Sequence, residues 1–195
     1  MKIAIDIDKT IFNCNSVLYQ MINTYLINQN LNKDLKYKEV DLNEYKAVVG
    51  PIIKHISRMH NPNFYKAEKQ VSNIMNKWVE NGDEIILLSS RPAFKSLVGA
   101  LLICLIKYNI PFTKLVVSCN NKAIYCKEKN IDVLIDDSHY ICNNAKEIGI
   151  DTIWYIARYN DSDNIPLIKD LKTAKSWMEL NSLINNKRNH LPKSR

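Results

Sequence analysis

At 195 residues, 46% of them apolar and 24% charged, the chain has the composition of a soluble globular protein with one ample core and room for a small inserted subdomain. Its net charge of +7, from 27 basic against 20 acidic residues, suits an anionic substrate or simple solubility and does not demand nucleic acid. The longest apolar run, residues 97–106, falls short of the roughly 20 residues that a bilayer-spanning helix needs, so no membrane partner is expected.

The cysteines, Cys14, Cys104, Cys119, Cys126 and Cys142, are odd in number and contain no CxxC pair. Their spacing suggests no zinc site and points to reduced thiols in a cytoplasmic protein. The chain reaches Asp6 too soon for the apolar region of a signal peptide.

Residues 2–7 read as a short apolar strand ending in Asp6-Ile7-Asp8-Lys9-Thr10. Residues i and i+2 of an extended strand share a face, so Asp6 and Asp8 concentrate negative charge at a strand tip. Such a cluster is costly unless a cation offsets it, and Mg²⁺ with oxygen ligands is the usual partner. Val17, Leu18, Met21, Ile22, Tyr25 and Leu26 then recur at helical spacing. Residues 31–44 are polar and predict a surface loop. Gly50-Pro51 opens a helix striped by Ile52, Ile53, Ile56 and Met59, which Asn61-Pro62-Asn63 ends. No strand is predicted from 13 to 65, which reads as a helical insertion.

The clearest periodicity follows. Val71, Ile74, Met75, Trp78 and Val79 make an amphipathic helix with a stop at Asn81-Gly82. Residues 85–88 form a fully apolar run, the mark of a strand buried on both faces, and lead into Ser89-Ser90-Arg91-Pro92. A helix on Phe94, Leu97, Val98, Leu101, Leu102 and Leu105, a strand at 115–117 and a short helix from about Lys122 come next. A strand at 133–135 ends in Asp136-Asp137-Ser138. Tyr140, Ile141, Ala145 and Ile148 predict a helix stopped by Gly149, and residues 152–156 a fifth strand. Ala174, Trp177, Met178, Leu180 and Ile184 predict a closing helix. The basic residues of 187–195 read as a solvated tail.

Alternating strands and helices predict a three-layer α/β fold with a parallel, Rossmann-like sheet. Ligands of such sheets bind beyond the carboxyl ends of the strands. Asp6, Asp8, Ser89, Lys122, Asp136 and Asp137 all fall there, and together they suit phosphoryl transfer. Mg²⁺ on Asp6 and on Asp136 or Asp137, with Lys122, would let a carboxylate approach a phosphate dianion. Ser89 could donate to a phosphate oxygen. Asp6 would attack in line, and Asp8 would protonate the leaving alcohol and then activate water. Arg91 either reads the substrate or pairs with a local acid. Lys127 and Lys129 compete with Lys122. Either Asp136 or Asp137 is the direct metal ligand, and one of them could instead cap the helix near Ser138. His55, His60 and His139 read as surface or packing residues. A P-loop is absent from the sequence.

The motifs Asp6-Ile7-Asp8-Lys9-Thr10, Leu87-Leu88-Ser89, Lys122 and Ile135-Asp136-Asp137, in this order, resemble the haloacid dehalogenase (HAD) superfamily of phosphohydrolases. The resemblance implies Asp6 as nucleophile and Asp8 as acid/base. It implies that the Asp8 carbonyl joins Asp6 and an acid of the 136–137 pair around Mg²⁺, and that Ser89 and Lys122, with Thr10 and Ser90, hold phosphate. It also implies a HAD-like core of residues 1–12 plus 71–186 and a helical cap of residues 13–70. The stretch from Ser89 to Pro92, the segment from Lys122 to Asp137, and Tyr159-Asn160 look most like the 5'-nucleotidase branch, which implies a nucleoside monophosphate substrate. Phe64, Tyr65 and Met59 of the cap would contact the base or pack the cap. Lys9 stands where the family often has glycine. Another phosphate ester, such as a polynucleotide 3'-phosphate or a small metabolite, is the alternative substrate. A signalling receiver or a non-catalytic phosphate-binding protein is the alternative class, but receivers place their hydroxyl, lysine and second acid on other strands.

Overall fold

The computed structural model describes residues 1–13, 38–39, 66–91, 93, 95–156 and 170–190. The expected helices over 17–26 and 51–59, together with Cys14, His55, His60, Phe64, Tyr65, Pro92, Phe94, Tyr159 and Asn160, lie outside the described residues.

The strands are β1 (Lys2–Asp6), β2 (Phe12–Asn13), β3 (Lys38–Glu39), β4 (Lys66–Ala67), β5 (Glu84–Leu88), β6 (Lys114–Val117), β7 (Val133–Asp136), β8 (Thr152–Tyr155) and β9 (Lys172–Ala174). The helices are α1 (Val71–Glu80), α2 (Lys95–Lys107), α3 (Lys122–Glu128), α4 (His139–Glu147) and α5 (Trp177–His190). One seven-stranded sheet runs in the order β3-β6-β5-β1-β7-β8-β9. It is parallel except at β3, which pairs antiparallel with β6. The expected α/β architecture with a parallel, doubly wound sheet is the one observed.

Period-two burial makes the three layers. Ile3 and Ile5 of β1, Ile85 and Leu87 of β5, and Val133 and Ile135 of β7 face a cluster completed by α1, α2 and α5. Their neighbours Ala4, Ile86, Leu88 and Leu134 face the opposite way, against α3 and α4. Every β1 residue from Ile3 onward is buried, which explains a strand without polar alternation. Ile5→Ala would open a cavity in the thicker layer at a cost of about 2–5 kcal/mol. Trp78 and Trp177 stack with ring centroids 5.9 Å apart and join α1 to α5. The turn after α1 is made at Gly82, whose φ of +82° an L side chain rarely adopts.

Three features differ from the sequence expectations. Lys38–Glu39 is a strand inside the stretch expected to lack one, and Tyr125 and Lys129 meet Glu39 at 3.5 and 3.4 Å. Two residues of mixed polarity leave no periodicity to read. Ala174 belongs to β9, a sixth parallel strand, and not to the closing helix, which starts at Trp177. This edge strand buries only Ala174, so it carries no apolar run. The helix also runs through His190, with Lys187 bonded to Asp151 at 2.7 Å and Arg188 to Asp83, so the basic stretch is helical and held to the rest of the fold at Lys187 and Arg188.

β2 and β4 pair antiparallel, bringing Asn13 opposite Lys66. The residues that flank the 14–65 stretch therefore meet in one two-stranded ribbon.

Candidate active site

Parallel pairing puts the ends of β1, β5, β6 and β7 on one edge of the sheet. Strand order reverses about β1, which pairs with β5 on one side and β7 on the other. That is the crevice where doubly wound sheets bind ligands. Asp6 closes β1 opposite Leu88, and Ser89 follows at once. Asp136 closes β7. Lys122 opens α3 after β6, and the Asn121 side chain caps that helix by accepting from Ile124 N at 3.1 Å.

The Lys122 ammonium joins these ends. Its Nζ donates to Asp6 Oδ1 and, at 2.7 Å, to Asp136 Oδ2. Lys122, Asp6, Asp136 and Ser89 are all buried. Lys127 is exposed and Lys129 half-buried, so Lys122 is the lysine that meets the acids. Burial disfavours its charge, but Asp136 and Asp6 hold the ammonium well above its usual pKa. Burial pushes the Asp6 carboxyl well up. Lys122 pulls it back, while Asp136, Asp137 and Asp8 push it further up. Asp137 is pushed up to about 7, by burial first and Asp136 second, with Lys9 opposing. The site therefore holds more negative charge than one lysine offsets.

Two buried atoms point to what could complete it. Asp6 Oδ2 and Thr10 Oγ1 have no hydrogen-bond partner among the described residues. A buried, unsatisfied carboxylate oxygen beside two more acids is the kind of donor set a hard cation takes. Among the described residues, no three His, Cys, Asp or Glu side chains converge as a metal cluster. The expected shell does not require three, since it pairs two side-chain carboxylates with the Asp8 carbonyl.

The turn from Ile7 to Phe12 is tight. Ile7 O accepts from Ile11 N at 3.0 Å and Phe12 N at 3.1 Å, and Lys9 takes a φ of +64°. Trp177 Nε1 donates to Thr10 O at 3.1 Å, so α5 anchors the loop. That contact spans 167 residues and has no sequence signal. The positive φ had one, the glycine usual at this position in the resembled family.

Arg91 pairs with a local acid, Asp8. Its Nε donates to Asp8 Oδ2 at 2.9 Å and its Nη2 to Asp8 Oδ1. Ser90 is exposed at the rim and Asp137 half-buried. Neither acid of the 136–137 pair caps α4. Ser138 does, accepting from Ile141 N at 3.4 Å, while Asp136 Oδ1 accepts from Ser138 N at 2.9 Å. His139 packs on Trp154 with centroids 5.9 Å apart, as a packing histidine should. Burial pushes the Cys119 thiol up to about 12, which leaves it inert as a nucleophile.

No protein-family model matches the sequence, and no curated protein does. Solved structures share the fold. A putative phosphatase from Clostridium difficile superposes with a TM-score of 0.59 at 15% identity, covering 94% of this chain and 97% of that one. D,D-heptose 1.7-bisphosphate phosphatase from B. bronchiseptica, complexed with magnesium and phosphate, superposes at 0.57 with 9% identity over 96% and 99%. A haloacid dehalogenase-like hydrolase from Xanthomonas campestris gives 0.57 at 10% identity over 95% and 91%. The fold is therefore that of HAD-superfamily hydrolases.

Proposed function

We propose that this protein is a Mg²⁺-dependent phosphoric monoester hydrolase working through an aspartyl-phosphate on Asp6. The observation that carries the reading is the Lys122 bridge from Asp6 to Asp136, which leaves Asp6 Oδ2 buried and unpaired. Asp6, Asp136 or Asp137, and the Asp8 carbonyl would hold the ion. When bound, Mg²⁺ would offset the repulsion between phosphate and carboxylates.

The chain's own groups do the rest. A carboxylate oxygen of Asp6 forms a bond to phosphorus as the ester P–O bond breaks, and Asp8 gives its proton to the departing alkoxide. Asp8 then takes a proton from the water that attacks the aspartyl-phosphate, releasing phosphate and restoring Asp6. Lys122 balances charge on Asp6 in both steps. Ser89 Oγ, Thr10 Oγ1 and Ser90 are the hydroxyls offered to phosphate oxygens.

The substrate we favour is a nucleoside monophosphate, with residues 13–70 as the cap over it. The resemblance of the segments after Ser89 and Lys122 to the nucleotidase branch supports this. A receiver role is disfavoured by strand order. The parallel strands run 3-2-1-4-5-6 in sequence rank, whereas receiver-type sheets run 2-1-3-4-5. We also propose a cytoplasmic location, supported by the free Cys104, Cys119, Cys126 and Cys142. No described helix is long and apolar enough to cross a membrane.

The test is phosphate release from a panel of nucleoside monophosphates, a 3'-phosphorylated oligonucleotide and sugar phosphates, with Mg²⁺ or EDTA. The unaltered protein should hydrolyse the mononucleotides only with Mg²⁺. Asp6→Asn should lose at least ~10³-fold in kcat, and full activity in that variant would defeat the mechanism.

A further inference from the structure

We propose that Arg91 is a positioning residue for Asp8 and not a substrate contact. The inference rests on the acid/base role given to Asp8 above.

Asp8 sits in a turn, one residue before the left-handed Lys9, and forms an isolated bridge to Phe12. Arg91 gives the carboxylate a fixed direction. Both arms of its fork meet both oxygens of Asp8, so the rotation and the plane of the carboxylate are set together.

Arg91 can do this because it is itself held. Its N–H donates to Ser89 Oγ at 3.2 Å, and its carbonyl accepts from Ser118 N at 2.7 Å. Those partners follow β5 and β6, the rigid part of the sheet. Ser118 Oγ also accepts from Ala93 N at 3.1 Å, bracing the segment beyond Arg91. The Arg91 side chain is 8% exposed and the Asp8 side chain 17%. Water therefore competes weakly for the pair. A phosphate that took the Nε–Nη2 edge of the guanidinium would have to strip both bonds from Asp8, leaving the acid/base unaimed when it must deliver a proton.

The experiment compares kcat/KM of Arg91→Ala, Arg91→Lys, Asp8→Asn and the double variant Asp8→Asn with Arg91→Ala. Two substrates are used, an alkyl phosphate monoester and p-nitrophenyl phosphate, whose leaving group needs little protonation. Arg91→Ala should lose ~10²-fold on the alkyl ester and under about tenfold on the aryl ester, with KM nearly unchanged. Methylguanidinium should restore part of the loss. In the Asp8→Asn background, removing Arg91 should cost nothing further, because its effect runs through Asp8. Should Arg91→Ala not fold, Arg91→Lys, which keeps the charge and loses the fork, should give the same split with smaller amplitude.

Equal losses on both esters with a raised KM, or additive losses in the double variant, overturn the proposal. An unaltered protein with no Mg²⁺-dependent phosphatase activity overturns the functional reading and this inference with it. Activity in the unaltered protein with an indiscriminate Arg91→Ala overturns the inference alone.

Discussion

Asp136, the last residue of β7, accepts a 2.7 Å hydrogen bond from Lys122, the first residue of α3. The same ammonium reaches Asp6 on β1, so one cation joins two strand ends and a helix start. Both acids are buried, and neither could be left alone there cheaply.

Removing that cation should therefore be severe. Lys122→Met should cost about 3–5 kcal/mol, the range for breaking one side of a buried ion pair, and abolish hydrolysis. The stability loss should ease in acid. Asp6 has a folded-state pKa raised above its unfolded value, so its neutral form favours folding below the unfolded pKa, and that contribution is lost as pH rises through the folded one. A neutral Asp6 needs no counter-ion. Urea unfolding of Lys122→Met against the unaltered protein at pH 8 and pH 5 checks this. Equal deficits at both values would contradict it.

Metal addition should act on the folded state. With Asp6 Oδ2 unpaired, Mg²⁺ binding should raise Tm, by an amount equivalent to about 2.7 kcal/mol at a hundredfold excess over Kd. Melting in EDTA and in a Mg²⁺ series measures it. Whichever of Asp136→Asn and Asp137→Asn removes more of the shift marks the direct ligand. No shift in the unaltered protein would count against a resident ion.

Much of the site was legible because its signals are local. Asp6, Ser89 and Asp136 each end an apolar run, and topology alone then brings the ends of parallel strands together. Lys122 was readable from its place after β6, although it took burial and its bonds to Asp6 and Asp136 to separate it from Lys127. What escaped depends on partners distant in sequence or on very short elements. The fork of Arg91 on Asp8 joins residues 83 apart, and the sequence left its target open between an acid and the substrate. β9 and β3 have three and two residues, too few for a period to register.

Lys9 offers a test of strain. Its φ of +64° is a conformation that costs a non-glycine residue about 1–2 kcal/mol. Glycine would remove that cost but lose about 0.5–1 kcal/mol to greater freedom when unfolded. Relief is the larger effect, so Lys9→Gly should stabilise by about 0.5–1 kcal/mol, or a few degrees in Tm. Its absence would also remove a positive charge acting on Asp137. Thermal melts with EDTA present decide it, and a lowered Tm would mean that Lys9 makes contacts worth more than its strain.

The C-terminal helix is tied down by charge, and pH should reveal it. Asp151, just before β8, accepts from Lys187 of α5 at 2.7 Å and from Lys172 of β9 at 3.0 Å. Burial alone would raise its pKa, but the hydrogen bonds and charges of Lys187 and Lys172 outweigh that and lower it. A depressed folded-state pKa stabilises above the unfolded value, and the benefit is lost as pH falls through the folded one. The pair is partly solvated, so screening keeps it within about 0–1 kcal/mol. Asp151→Asn should be less stable at pH 7 by no more than that. Its deficit should shrink in 0.5 M salt and close as pH drops below the ordinary carboxylate range. Lys187→Ala should follow the same curve, since it removes the shorter of the two contacts. Urea midpoints from pH 7 to pH 3 at low and high salt supply the comparison. A deficit that persists unchanged into acid would assign these residues a packing role in place of an electrostatic one.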